Sequence, residues 1–165
     1  MLNIPRLLID GAILSGLATL FIILTMRLNP RLWLQDYPED IQASVPPKTP
    51  EERKLSLQVG IPFILLLLAV PLVSTFLVKQ QAGSHMPFWS LFVHAFGVVF
   101  LFNVYDWLVL DWLMFCTITP DFVVIPGTEG MAGYKDYIFH FTGFLKGIIF
   151  SAFGGLIITV IVYLL

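Results

Sequence analysis

The decisive stretch is Pro87-Phe88-Trp89-Ser90-Leu91-Phe92-Val93-His94-Ala95-Phe96-Gly97-Val98-Val99-Phe100-Leu101-Phe102, which contains no Asp, Glu, Lys or Arg. It runs on directly into Asn103-Val104-Tyr105-Asp106-Trp107-Leu108-Val109-Leu110-Asp111-Trp112. The first part reads as a membrane helix, because a bilayer core asks for about 20 apolar residues at helical rise. The second part brings two carboxylates to the end of that helix. An ionisable group at or inside the hydrocarbon boundary is expensive, and it normally has a partner or a function.

A helix drawn from Pro87 to Phe115 would be about 44 Å long at helical rise. That exceeds the hydrocarbon core, so the segment either projects from the membrane or breaks near Asn103. At about 100° per residue, Asn103 and Asp106 share a face, whereas Asp111 lies about 140° from Asp106. An α-helical reading therefore denies Asp106, Asp111 and His94 a common polar stripe. Trp107, Trp112 and Tyr105 fit an aromatic belt at headgroup depth.

Working outward, three more apolar runs of comparable length appear. The expected spans are residues 7–28, 55–78, 87–113 and 138–165. The expected fold is all-α: a polytopic integral membrane protein, a four-transmembrane-helix bundle in a single domain, with two ordered loops on its cytoplasmic side. Composition agrees. Of 165 residues, 58% are hydrophobic and 12% charged, against about 25% charged in soluble domains. A net charge of -2 argues against a nucleic-acid partner. The single Cys116 excludes an intrachain disulfide, and the three scattered histidines have no zinc spacing.

Local signals set the span ends. Asn29-Pro30 stops the first helix. Thr49-Pro50-Glu51-Glu52 reads as a capping box that opens the second. Pro62 and Pro71 interrupt the second span, and Pro71, near its middle, predicts a kink. That span has almost no polar side chains and reads as scaffold. Lys79 to Met86 reads as a short loop. In the last span Gly143, Gly147, Ser151 and Gly155 recur at i+4 and predict a flat packing face. The first span, with its own small pairs Gly11/Ser15 and Ala12/Gly16, is the simplest partner. Between the last two spans, Gly127, Gly130 and Gly133 allow tight turns or close approach to a ligand. They do not form a phosphate-binding loop, since no Gly-Lys-Ser/Thr follows.

Basic residues concentrate on one side: Arg27, Arg31, Lys48, Arg53 and Lys54 around the first loop, and Lys135 in the third. The positive-inside rule puts these loops in the cytoplasm and both termini outside, in a membrane taken to be a bacterial plasma membrane. This topology gathers Asp106, Asp111, His140 and Lys146 at one end as catalytic candidates. Asn103 joins them and, with His94, is a candidate for cofactor binding. His140 would act as a base oriented by a carboxylate, and Lys146 would hold an anionic group. Asp106 and Asp111 are the residue types to share a divalent metal, but no motif names a metal or a cofactor. Asp10 and His94 fall together near the other end, as a possible pair across spans one and three.

These residues leave the function class open. A non-catalytic membrane subunit or binding protein fits the small-residue faces best. An enzyme acting on the headgroup of a lipid or other amphiphile is the first alternative. An oligomeric ion-coupled transporter, with Asp10 as its coupling carboxylate and His94 as relay, is the second. Expected partners are membrane lipids and either a second copy of the chain or another membrane protein.

Overall fold

The computed structural model describes residues 3–82 and 86–165; Gly83, Ser84 and His85 of the expected short loop lie outside the described residues. The described residues form an all-α bundle containing four helices long and apolar enough to cross a membrane. Helix α1 spans Ile4–Leu28. A short α2, Glu39–Ser44, lies in the first long loop after a 3-10 segment, Pro30–Asp36. Helix α3 spans Pro50–Ala82 and α4 Phe88–Tyr105. From Asp106 to Ile118 the same helix continues in π winding. Helix α5 spans Tyr137–Leu164.

The expected terminators operate as read. Asn29 leaves helical geometry, and its Oδ1 accepts the Arg31 N–H at 2.9 Å. The capping box forms in both directions: Glu52 N–H donates to Thr49 Oγ1 at 3.2 Å, and Thr49 N–H to Glu52 Oε2 at 2.9 Å. Helix α3 is longer than the expected span because this box starts it at Pro50. It runs through both prolines; four residues after Pro71 the Thr75 hydroxyl donates back to the Pro71 carbonyl at 2.6 Å, as hydroxyls in helices do.

The outside of the bundle is apolar. Leu8, Ile9 and Leu24 of α1, Ile61 and Leu65 of α3, and Ile149, Phe150 and Phe153 of α5 are exposed. In lipid there is no hydrophobic drive to bring helices together, so close packing does it. Helix α4 is the hub. Gly97 of α4 receives Leu7, and Gly11 of α1 receives Leu101 of α4. The small-residue face of α5 also lies on α4 rather than on α1. A methyl group added at Gly155 would sit 2.9 Å from the Phe96 backbone, and one at Gly147 would run into Asn103. The expected α1–α5 pairing gives way because α4 offers the backbone approach to both.

Both long loops lie at the bundle end where α1 and α4 finish, and they share one core. Tyr37 and Ile41 from the first loop pack with Phe115, Cys116, Val123, Ile125 and Tyr134. The Tyr37 hydroxyl donates to Val123 O at 2.8 Å, and Ile125 N–H donates to Tyr134 Oη at 2.9 Å. Burial, reinforced by Tyr134 and Asp36 nearby, holds the Tyr37 hydroxyl neutral by raising its pKa. Gly127 and Gly130 supply the positive-φ turns. Gly133 makes the close approach that the glycine run allows, to Asp40 of the first loop: its N–H donates to Asp40 Oδ2 at 2.9 Å.

Candidate functional site

The π winding of residues 106–118 decides what meets at the loop end. Its hydrogen bonds close from i to i+5, so residues five apart lie nearer to one face than they do on an α-helix. Thr119 N–H reaches back to Met114 O at 2.8 Å in this pattern. Asp106 and Asp111, assigned to different faces on an α-helix, are instead brought into electrostatic reach of each other. The helix does not break near Asn103; it changes pitch just beyond. Lys135 closes its far end, donating to Cys116 O at 2.6 Å and Thr119 Oγ1 at 2.8 Å.

His140, in the first turn of α5, is buried, and its Nδ1 lies 3.1 Å from Asp111 Oδ1. Its Nε2 is buried without a hydrogen-bond partner among the described residues. Phe115 and Phe139 flank the ring, with centroids 4.9 and 5.3 Å away. The Cys116 thiol lies beside the same imidazole, close enough to act on it electrostatically. A carboxylate fixing one imidazole nitrogen while the other stays free is the geometry of a general acid–base histidine.

Asp36 completes this end. It closes the 3-10 segment after α1 and lies within electrostatic reach of Asp111, His140 and Lys48. Its side chain is accessible but recessed. Burial, opposed by the Gln35 hydrogen bond and Lys48, raises its carboxyl to about 6. Lys48 is anchored by Leu32 O, Gln35 Oε1 and Ser56 Oγ, each at 2.8 Å. Burial lowers its pKa, with Asp36 acting against that shift. The sequence alone presents Asp36 only as part of an acidic turn, and nothing in the spacing of residues 36 and 111 links them.

The remaining candidates go elsewhere. Lys146 is exposed and lines a separate open groove of about 790 Å³ with Asp40, Lys135 and Phe139. Asn103 donates to Phe144 O at 3.1 Å and sits against Gly147, which makes it a helix-packing contact. His94 is near the start of α4, at the opposite end of the bundle from His140. The two histidines therefore do not meet as a ligand pair. Among the described residues, no three His, Cys, Asp or Glu side chains converge tightly enough to hold a metal ion.

At that opposite end a second polar group crosses three helices. Asp10 Oδ2 accepts from Arg6 Nε at 2.6 Å and from the Ser74 hydroxyl at 2.5 Å. Ser74 Oγ is 2.6 Å from His94 Nε2. The expected approach of Asp10 to His94 is present, but Ser74 stands between them. Reading α3 as plain scaffold overlooks it, since a serine in a long apolar helix is not by itself a sequence signal. The order differs from a hydrolytic triad, because the carboxylate touches the serine and leaves His94 Nδ1 without a partner among the described residues.

The chain is a small, all-α, membrane-embedded protein. No protein-family model matches it, and comparison with curated proteins and with solved structures finds no significant relative.

Proposed function

We propose that the protein is a membrane-embedded enzyme performing acid–base chemistry on the polar headgroup of an amphiphile. The observation that carries this reading is the Asp111–His140 pair at 3.1 Å, with His140 Nε2 unpartnered among the described residues. Asp111 holds the ring, and Nε2 gives or takes the proton. Asp106, within electrostatic reach of Asp111, and Asp36 at the rim set the electrostatics around the pair. π winding is rare, and the π-bulges in which it mostly occurs are frequent at functional sites, which supports the same region.

The loop end carries most of the basic residues, so its site faces the cytoplasm and the termini face outward. The amphiphile enters from the surrounding lipid with its headgroup at the depth of the Trp107–Trp112 belt. Native mass spectrometry from mild detergent tests the binding step and also reports subunit number. A stoichiometric amphiphile on the wild-type chain that is lost on Asp111→Ala and His140→Ala supports the proposal. Equal retention by both variants contradicts it. Binding without conversion returns the chain to the class of non-catalytic binding proteins.

A further inference from the structure

The groove that Lys146 lines is separate from the Asp111–His140 pair and carries charges of both signs. Its volume, about 790 Å³, is within the usual range for small-molecule sites, about 300–1,000 Å³. Two lysines, Lys135 and Lys146, and three carboxylates, Glu39, Asp40 and Asp136, line it. Three of the five are committed within the chain. Lys135 donates to Cys116 O and Thr119 Oγ1. Asp40 accepts the Gly133 and Ile41 N–H groups, and Asp136 accepts the Phe139 N–H as the cap of α5. Glu39 and Lys146 are exposed and belong to no ion pair among the described residues.

These two charges stand at different depths. Glu39 opens α2 in the first long loop. Lys146 is nine residues past the start of α5, about 14 Å along the helix. The α5 residues between lie at the aromatic belt: Trp112 Nε1 donates to Tyr137 O at 3.1 Å, and Trp107 stacks on Phe144 at 4.5 Å. Lys146 therefore sits just inside the headgroup boundary, where a lysine ammonium snorkels outward. Gly143 keeps the groove open, because among the described residues nothing lies within 4 Å of a methyl group placed there. Beyond Lys146 the same face of α5 continues as Ile149, Phe150 and Phe153, all exposed. Residues three, four and seven past a given one share its face on a helix.

We propose that this groove binds one zwitterionic glycerophospholipid with a primary-ammonium headgroup. The phosphate pairs with Lys146, the acyl chains run down Ile149, Phe150 and Phe153, and the ammonium reaches out to Glu39. The excess of carboxylates over lysines disfavours a lipid of net negative charge. A primary ammonium offers three donors to carboxylate oxygens. A quaternary ammonium asks for an aromatic cage, and Phe139 is the one aromatic side chain lining the groove among the described residues. The site does not depend on the acid–base reading of Asp111 and His140.

The test is native mass spectrometry of the full chain in mild detergent, with added phosphatidylethanolamine, phosphatidylcholine and phosphatidylglycerol of identical acyl chains. The proposal predicts one phosphatidylethanolamine retained per chain in preference to the other two. Lys146→Gln should weaken retention about tenfold, the scale of one charge-assisted contact. Gly143→Leu, at an exposed position, should weaken it comparably by filling the groove. Glu39→Gln should abolish the preference for phosphatidylethanolamine over phosphatidylcholine. Asp111→Ala and His140→Ala should leave this lipid bound, which separates it from any amphiphile at the loop-end pair. Equal retention of the three lipids, tighter retention of phosphatidylglycerol, or retention unchanged in both Lys146→Gln and Gly143→Leu would overturn the proposal. So would loss of the lipid in Asp111→Ala.

Discussion

Trp107 and Trp112 meet edge to face with ring centroids 4.9 Å apart, although on an α-helix residues five apart point in well-separated directions. The π winding from Asp106 to Ile118 makes the contact, and the same step of five carries Asp106 to Asp111. The two indoles are held differently. Trp112 Nε1 donates to Tyr137 O at 3.1 Å, whereas Trp107 Nε1 is buried without a partner among the described residues. Trp112→Phe is expected to lower stability in detergent by about 1 kcal/mol, the ordinary worth of such a bond. Trp107→Phe should be neutral or stabilising, because it keeps the stacking on Phe144 and removes an unpaired N–H. Thermal unfolding of both variants checks the contrast.

The glycines of α5 are not equivalent. Among the described residues, nothing lies within 4 Å of a methyl group placed at Gly143, while Gly155 is against the Phe96 backbone. Gly143→Ala should therefore be neutral or gain a few tenths to about 1 kcal/mol from reduced backbone freedom. Gly155→Ala should lose about 1–3 kcal/mol by forcing α5 from α4. Denaturation midpoints in one detergent separate the two.

The shared core of the loops depends on Tyr134. Its hydroxyl accepts from Ile125 N–H at 2.9 Å and pairs with Thr128 Oγ1 at 2.7 Å. Tyr134→Phe leaves a buried backbone donor unpaired, a loss of about 1–3 kcal/mol. Faster amide exchange at Ile125 than in the wild-type chain is the expected signature.

Asp36 gives the loop end a pH dependence. Its folded carboxyl is raised to about 6, against about 3.9 in an unfolded chain. Between these values the folded state holds the extra proton, so Asp36 makes stability fall as pH rises from about 4 to about 6. Asp36→Asn should remove that component of the slope in a melting series across the same window. It should also remove a transition near pH 6 from any activity profile.

Long apolar runs made the four-helix architecture readable from residues alone, and Asn29-Pro30 and Thr49-Pro50-Glu51-Glu52 marked two helix ends. Span ends elsewhere shifted by a few residues, because capped turns extend helices past their apolar part. The meeting of Asp111 with His140 was legible through topology, as was the approach of Asp10 to His94. What stayed hidden depended on backbone pitch and on isolated side chains. Hydropathy carries no sign of π winding, so an α-helical wheel separates Asp106 from Asp111. Ser74 and Asp36 acquire meaning only from neighbours distant in sequence. Lys146, grouped with the site by depth, faces a different groove because α5 turns it away from His140.

The most direct test of the acid–base site is conversion. The purified chain is placed in vesicles made from a total membrane-lipid extract, and mass spectrometry follows the amphiphiles over time. The expected result is a headgroup-altered product with the wild-type protein, reduced about 10²- to 10⁴-fold by His140→Gln, the usual worth of a positioned acid–base group. Asp111→Asn should reduce it as well, through loss of ring orientation. No product with the wild-type chain, or equal product with His140→Gln, would contradict the assignment.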